Sequence, residues 1–459
     1  MKQWLAANNE RRSKMSKRKM RILAILMVIG LMVTCLAGCG GSEEGTAEKE
    51  LSADEAKTEL YGMLPDTCLS GFLDPTSLED RSNIDKALPF KPKDPKHVVV
   101  GWTEQTQGDP WFVSVKESAE KWAKKYGYTL YFDVADFELS KQSAHIDSYI
   151  SRGVDVIVID PVDVTGIAAD IERAVKAGIP CIGFGSEIFG APVVTTINAN
   201  IFSVGYSAGK YTASQFDKEE QINMGIVLGI MGNSTAETRV NGMLSGMIYE
   251  RAQQRGVEYT MEQATLDATK LFNDLRKKGT FESEKWNMAC LGSGEGNWTF
   301  EGGIDVAEPI IAANQDKLNL FIGENDFQGL GAAQALKNYG LTDKVLVACP
   351  GNGMKTELEK VKDGTLLCDG PHNGQAFAME TINFIKELAE GTNKWDANNL
   401  PMLTAFKAFN INRDTMDTYW DDDKENLYHK TAPLEVLTVP EVIKAIEDGT
   451  YYEEWVPSK

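Results

Sequence analysis

Histidine is scarce, with 4 in 459 residues, and no His-Glu-x-x-His pair occurs. That leaves little material for a histidine metal centre or histidine-based acid–base work. None of the 7 cysteines forms a Cys-x-x-Cys pair, so zinc-ribbon and thioredoxin-like readings fail. There is no Gly-x-Ser-x-Gly elbow. Nothing in the chain calls for a metal or a cofactor. Basic residues are in deficit, 47 Lys+Arg against 67 Asp+Glu, for a formal charge of −20. Such acidity argues against nucleic acid as a partner. Long apolar runs are confined to one stretch near the N-terminus, which excludes a multi-span transporter.

That stretch belongs to a leader. Arg11, Arg12, Lys14, Lys17, Arg18, Lys19 and Arg21 form a basic block, Ile22 to Val33 an apolar core, and Leu36-Ala37-Gly38-Cys39 follows. Basic region, short apolar region and small residues make a secretory signal over 1–39. The alternative, a single membrane anchor, needs a longer apolar run. Leu-Ala-Gly-Cys resembles a bacterial lipobox, which implies acyl chains on Cys39 and a chain held on the outer face of the cell membrane.

The length suits two to four domains. Residues 40–96 read as a tether followed by an irregular, proline-rich lead-in. From His97 the texture changes to short apolar runs: Val98–Trp102, Leu130–Val134, Val154–Ile159, Ile179–Phe184, Ile222–Leu228, Met288–Leu291, Leu318–Ile322, Val345–Cys349 and Leu366–Cys368. Continuous apolar runs suit parallel strands covered on both faces. Amphipathic segments lie between many of them, such as Phe112, Val115, Ala119, Trp122 and Ala123 at helical spacing. The alternation predicts a doubly wound α/β fold in two similar sets. The four later cysteines, Cys181, Cys290, Cys349 and Cys368, fit as small buried hydrophobes, with a Cys349–Cys368 disulfide left open.

Open parallel sheets bind ligands at the carboxyl ends of their strands, so chemistry is sought in the loops 103–111, 160–163, 185–190, 229–239, 292–298, 323–327 and 350–354. In the first, Asp109 is a good N-cap and Pro110 a good first helical residue. Trp111 and Phe112 are adjacent and cannot share one helix face, so at least one aromatic faces the cleft, where it suits the C–H face of a sugar. Ser186 and Glu187 follow the fourth run; Glu187 is either a hydrogen-bond acceptor for ligand hydroxyls or a solvated loop residue. Arg239 lies one turn into a helix and presents a planar fork, or else pairs with a carboxylate such as Glu237 at the surface. Trp298 tips a glycine-rich loop. Asn325 offers donor and acceptor together, and Asp326 is a candidate cap for a helix over Gly329–Lys337. Gly205-Tyr-Ser-Ala-Gly-Lys-Tyr is one residue short of a phosphate loop, and Gly292-Ser-Gly-Glu-Gly-Asn lacks the third glycine of a dinucleotide fingerprint.

Taken in order, four of these segments resemble the type I periplasmic-binding-protein family, most closely its ribose/galactose-binding class of sugar ABC-transporter lipoproteins. They are Gly108-Asp109-Pro110-Trp111-Phe112, Arg239-x-x-Gly242-Met243, Asn297-Trp298, and Glu324-Asn325-Asp326 with Gly329 and Ala332. The resemblance spans roughly 97–410. It implies two lobes joined by crossover strands. The N-terminal lobe covers 97–200, completed by about 371–401; the C-terminal lobe covers 201–370, completed by about 402–420; 421–459 is a tail. It implies ligand contacts from Asp109, Trp111, Phe112, Arg239, Trp298 and Asn325, with Trp111 and Trp298 on opposite faces of the ligand. Ribose binders carry Asp-Arg where this chain has Gly185-Ser186, with Glu187 next, and a ligand Asp where it has Gly351, with Asn352 next. A last polar contact aligns near Asp369 or Asn373.

The expected function is capture of a sugar-like solute for a membrane permease, without catalysis. A sensing module for a kinase or chemoreceptor stays open. So does an extracytoplasmic glycosidase using Asp109 and Glu187 as its carboxylate pair. A sugar-responsive repressor is disfavoured by the acidity and by the lack of a basic helix-turn-helix.

Overall fold

The computed structural model describes residues 51–63, 83–188, 190–392, 395–396, 400–422 and 429–457. All of these but Leu51 belong to one unit, Ser52–Lys459. The leader and Cys39 lie outside the described residues.

In chain order the strands are β1 (Val99–Glu104), β2 (Thr129–Val134), β3 (Val156–Ile159), β4 (Cys181–Phe184), β5 (Thr196–Ala199), β6 (Ile222–Leu228), β7 (Phe281–Ser283), β8 (Met288–Glu295), β9 (Leu320–Gly323), β10 (Leu346–Ala348), β11 (Cys368–Asp369), β12 (Pro401–Phe406), β13 (Ile411–Asn412) and β14 (Leu434–Thr438). One sheet has the order β14-β12-β5-β4-β3-β1-β2, a second β10-β9-β6-β8-β7, and a small ribbon pairs β11 with β13. The strands run parallel except β14 on β12, β7 on β8, and the ribbon. These are the two doubly wound lobes that the alternation predicts. The chain crosses between them after β5, after β11 and after β12, and returns to the first sheet after β13 to form β14.

The interior runs mark strands because their side chains are covered on both faces: Val156–Ile159 and Cys181–Phe184 are buried throughout, whereas the edge strand β2 is only half-buried. The helix Pro110–Tyr126 starts on Asp109, whose carboxylate accepts from the Trp111 amide, and stops at Gly127 with φ of 74°, a value only glycine adopts freely.

Four features differ from the sequence reading. The central strand β5, Thr196-Ile-Asn-Ala, escaped notice because it is not an apolar run. It is buried all the same, since Asn198 donates to the Gly185 carbonyl at 2.6 Å and the neighbouring Thr195 bonds Thr404 at 2.9 Å. The stretch 401–406 is a strand of the first sheet, not the start of the second lobe's completion. The described part of the tail, 429–457, is part of the fold: β14 extends the first sheet, and the helix Val439–Glu447 follows under a Thr438/Glu441 capping box. Finally, the tether over 40–60 ends in a helix, Ala53–Met63, whose Glu59 meets Lys270 at 3.2 Å. Cys181, Cys290, Cys349 and Cys368 are buried free thiols; Cys368 Sγ contacts the Cys349 carbonyl at 3.6 Å, and the two form no disulfide.

The phosphate-loop look-alike has a packing role. Gly205 and Gly209 on the helix Ile201–Ser214 face Gly242 and Gly246 on the helix Ser234–Gln254. A Cβ at Gly205, Gly209, Gly242 or Gly246 would run into the backbone carbonyl of Arg239, Met243, Phe202 or Tyr206 respectively. The obstacle is main chain, which cannot rotate away. Gly209→Ala is therefore expected to destabilise the protein by about 2–3 kcal/mol, read by chemical denaturation. An unchanged midpoint would show that the two helices are free to separate.

Candidate functional site

The carboxyl ends of both sheets point at one cavity with about 40 Å³ of room for the centres of water-sized molecules. The first lobe supplies Gln105, Asp109, Trp111 and Phe112 after β1, Asp160 after β3, and Gly185 and Ser186 after β4. The second supplies Thr235 and Arg239 after β6, Trp298 after β8, Asn325 after β9 and Asn352 after β10; His372 comes from the crossover after β11.

Glu324, at the end of β9, organises the second-lobe wall. It is fully buried, and its Oε1 meets Arg239 Nη1 at 2.8 Å while its Oε2 accepts from Trp298 Nε1 at 2.6 Å. Arg239 is 1% exposed, so the surface pairing with Glu237 does not occur; Glu237 instead pairs with Arg276. Arg239 Nε and Nη2 have no hydrogen-bond partner within the protein. Trp298 is fixed too, at φ of 59° and 9% exposure. Asn325, not Asp326, caps the next helix: its Oδ1 accepts from the Gln328 amide at 2.9 Å. Asp326 instead positions Asn352, accepting from its amide at 3.1 Å and from its Nδ2 at 2.8 Å.

On the first lobe Trp111 is only 5% exposed. Its Nε1 donates to the His372 carbonyl at 2.7 Å, and one face stacks on the His372 ring at 5.2 Å and 6°. Asp109 caps Trp111 through Oδ1 at 2.6 Å, while its Oδ2 has no partner within the protein.

Two expected contacts take other positions. Glu187 is buried, not solvated, but it does not line the cavity; its amide donates to Ser234 Oγ at 2.9 Å. Asp369 lies beneath the lining, accepting from the Gly370 and Gly353 amides at 2.7 and 3.3 Å. With Glu187 outside the lining, the carboxylate pair Asp109/Glu187 is not assembled in the cavity. Ser186 does line it, and it also bonds across the lobes, accepting from Asn233 Nδ2 at 3.1 Å. Thr235 Oγ1 donates to the Gly185 carbonyl at 2.7 Å. The lobes are thus closed on a seam of Gly185, Ser186 and Glu187 against Asn233, Ser234 and Thr235.

Residues 100–392 match the family model described as a periplasmic binding protein domain. The chain belongs to this family. Among its relatives, the ribose import binding protein of Bacillus subtilis is 25% identical over 280 residues, 61% of this chain and 78% of its own. The xylitol-binding protein of Mycolicibacterium smegmatis is 21% identical, over 56% of this chain and 63% of its own. A solute-binding protein from Actinobacillus succinogenes with bound D-allose shares the fold at a TM-score of 0.56 and 20% identity, covering 70% of this chain and all of that one. A Bacillus halodurans solute-binding protein with bound myo-inositol gives 0.55 and 17%, over 70% and 97%. Two sheets, their crossovers and these likenesses make the fold that of a type I periplasmic binding protein.

The binding protein's cavity is floored by buried acids. Burial raises Asp109 to about 7, Asp160 to about 6 and Asp369 to about 8. Glu104 and Asp326 are pushed well above the usual carboxylate range, again by burial first, then by Asp160 and Asp369 respectively. Burial, then Arg239, holds His372 well below its ordinary 6.5, and burial lowers His429 too. A carboxyl that holds its proton more tightly when folded stabilises most at low pH, and the contribution is lost as pH rises through the folded value. The two histidines act oppositely, costing stability below about pH 6.5. Between about pH 6.5 and about pH 8 the histidine contribution fades and that of the carboxyls dominates. The melting temperature of the ligand-free binding protein is expected to fall across that window, and less steeply in Asp369→Asn. A flat profile would mean that these acids keep ordinary values.

The seam makes a separate prediction. Ser234→Ala strands the Glu187 amide only when the lobes are closed, so solute affinity is expected to drop several-fold, about 1 kcal/mol. Titration calorimetry with any solute that binds checks it. Unchanged affinity would show that the seam does not contribute to closure.

Proposed function

We propose that the chain is an extracytoplasmic solute-binding lipoprotein, anchored through Cys39, that captures a sugar or sugar-like molecule between its lobes and delivers it to an ABC permease. One observation carries the reading: Arg239, 1% exposed, lines a cavity walled by Trp111, Phe112 and Trp298, and its Nε and Nη2 have no hydrogen-bond partner within the protein. A buried donor left unpaired costs free energy, and an acceptor-bearing ligand with an apolar face offsets it. Ring oxygens and hydroxyls answer the guanidinium fork, Asn325 and Asn352; C–H faces answer the aromatic walls. The named ligands of the relatives, ribose, xylitol, D-allose and myo-inositol, share the hydroxyls and the C–H surface, and the two sugars can add a ring oxygen.

Opening would expose both half-sites, and a bound ligand would shift the population to the closed form that a permease reads. Among the described residues no helix is long and apolar enough to cross a membrane; in this reading the anchor is the acylated Cys39.

A thermal-shift screen of the mature chain against monosaccharides, disaccharides, polyols and nucleosides tests the proposal. A solute at about a hundred times its Kd adds about 2.7 kcal/mol. The expected result is a hit that is lost in Arg239→Ala and in Trp298→Ala. No shift with any carbohydrate would sink the sugar assignment.

A further inference from the structure

The charges around the cavity do not balance. The first-lobe wall contributes two acids, Asp109 and Asp160, and no base; Arg239 comes from the other lobe and already has a buried carboxylate partner in Glu324. Asp160 is engaged, since Gln105 Nε2 donates to its Oδ1 at 2.6 Å and Glu104 hydrogen-bonds its carboxyl. Asp109 is not so engaged. Its carboxyl caps the helix through the Trp111 and Phe112 amides, Oδ2 has no side-chain partner, and the side chain, 5% exposed, lines the cavity.

We infer that the solute carries a protonated amino group, which Asp109 Oδ2 receives on the first-lobe wall while the solute's hydroxyls face Arg239. The inference rests on the carbohydrate reading of the cavity and narrows it to amino-bearing members. A neutral hydroxyl gives Asp109 one hydrogen bond but leaves its buried charge uncompensated, or else the carboxyl must keep a proton, as its rise to about 7 in the empty site indicates. An ammonium supplies the hydrogen bond and the opposite charge together, which makes the stronger, charge-assisted bond. The nearby rings of Trp111, Phe112 and Trp298 are compatible with it, because aromatic faces attract cations.

The experiment compares matched sets by titration calorimetry: D-glucosamine, D-galactosamine and D-mannosamine, their parent hexoses, and their N-acetyl forms, which keep the shape and lose the charge. The buffer is at about pH 6.5, below the ordinary range of an α-amino group. The expected result is at least one amine that binds about tenfold tighter than both of its neutral counterparts. Asp109→Asn and Asp109→Ser, both good N-caps, should bring that ratio close to one. Two variants are used so that a folding failure in one leaves the comparison standing. A parent hexose or N-acetyl form that binds as tightly as its amine overturns the inference while leaving the carbohydrate reading intact. A preference for the amine that survives both substitutions overturns the assignment to Asp109. If no member of any set binds, the inference falls, and the carbohydrate reading stands or falls separately with the wider thermal-shift screen.

Discussion

The buried pair of Arg239 and Glu324 is the interaction on which the second-lobe wall depends. Removing two charges from water is costly, and the cost is recovered only with good geometry and further hydrogen bonds. Glu324 has both. It meets Arg239 through Oε1 and takes the Trp298 indole through Oε2. One carboxylate therefore aims a guanidinium and an aromatic plate at the same space. The guanidinium keeps two polar groups in reserve, and the plate sits in a left-handed loop that cannot swing without breaking that bond.

The first lobe is organised by aromatic packing instead. Trp111 stacks on His372, touches Phe184 and Phe377, and spends its indole N–H on the His372 carbonyl. His372 then bonds Asn198 of β5 at 3.0 Å. A ring thus rests on a crossover segment. The two walls meet through polar groups that are complete only when the lobes touch, so the closed arrangement is selected by hydrogen bonds at the rim and leaves the cavity's own polar atoms for a guest.

Most of the strands were legible because parallel strands covered on both faces must be apolar, and the loops that carry the site follow from their ends. Those loops contain Gln105, Asp160 and Thr235, although none of the three was singled out. Asp109, Trp111, Phe112, Ser186, Arg239, Trp298, Asn325 and Asn352 all line the cavity. Sequence did not reveal pairing. That Arg239 takes Glu324 and not Glu237 depends on which strand ends are neighbours, and that Glu187 spends its amide on Ser234 depends on the other lobe. Strand β5 and the crossover residue His372 were missed for a related reason: their polar side chains are satisfied by residues far away in the chain, so burial leaves no apolar signature. The C-terminal strand β14 was hidden by its acidic surroundings.

The four glycines between two helices, Gly205, Gly209, Gly242 and Gly246, bear on which segments belong to which lobe. They hold the crossover helix Ile201–Ser214 against the helix that carries Arg239 so closely that backbone meets backbone. That helix is therefore cargo of the second lobe, although its chain has just left the first. The flexible joint shrinks to the peptides around Asn200, whose amide is bonded to the Phe406 carbonyl of another crossover at 3.0 Å; Asn410 in turn reaches the Asp369 carbonyl at 3.3 Å. Crossovers tied to one another in this way must move together, so the hydrogen bonds between them limit how one lobe can slide past the other.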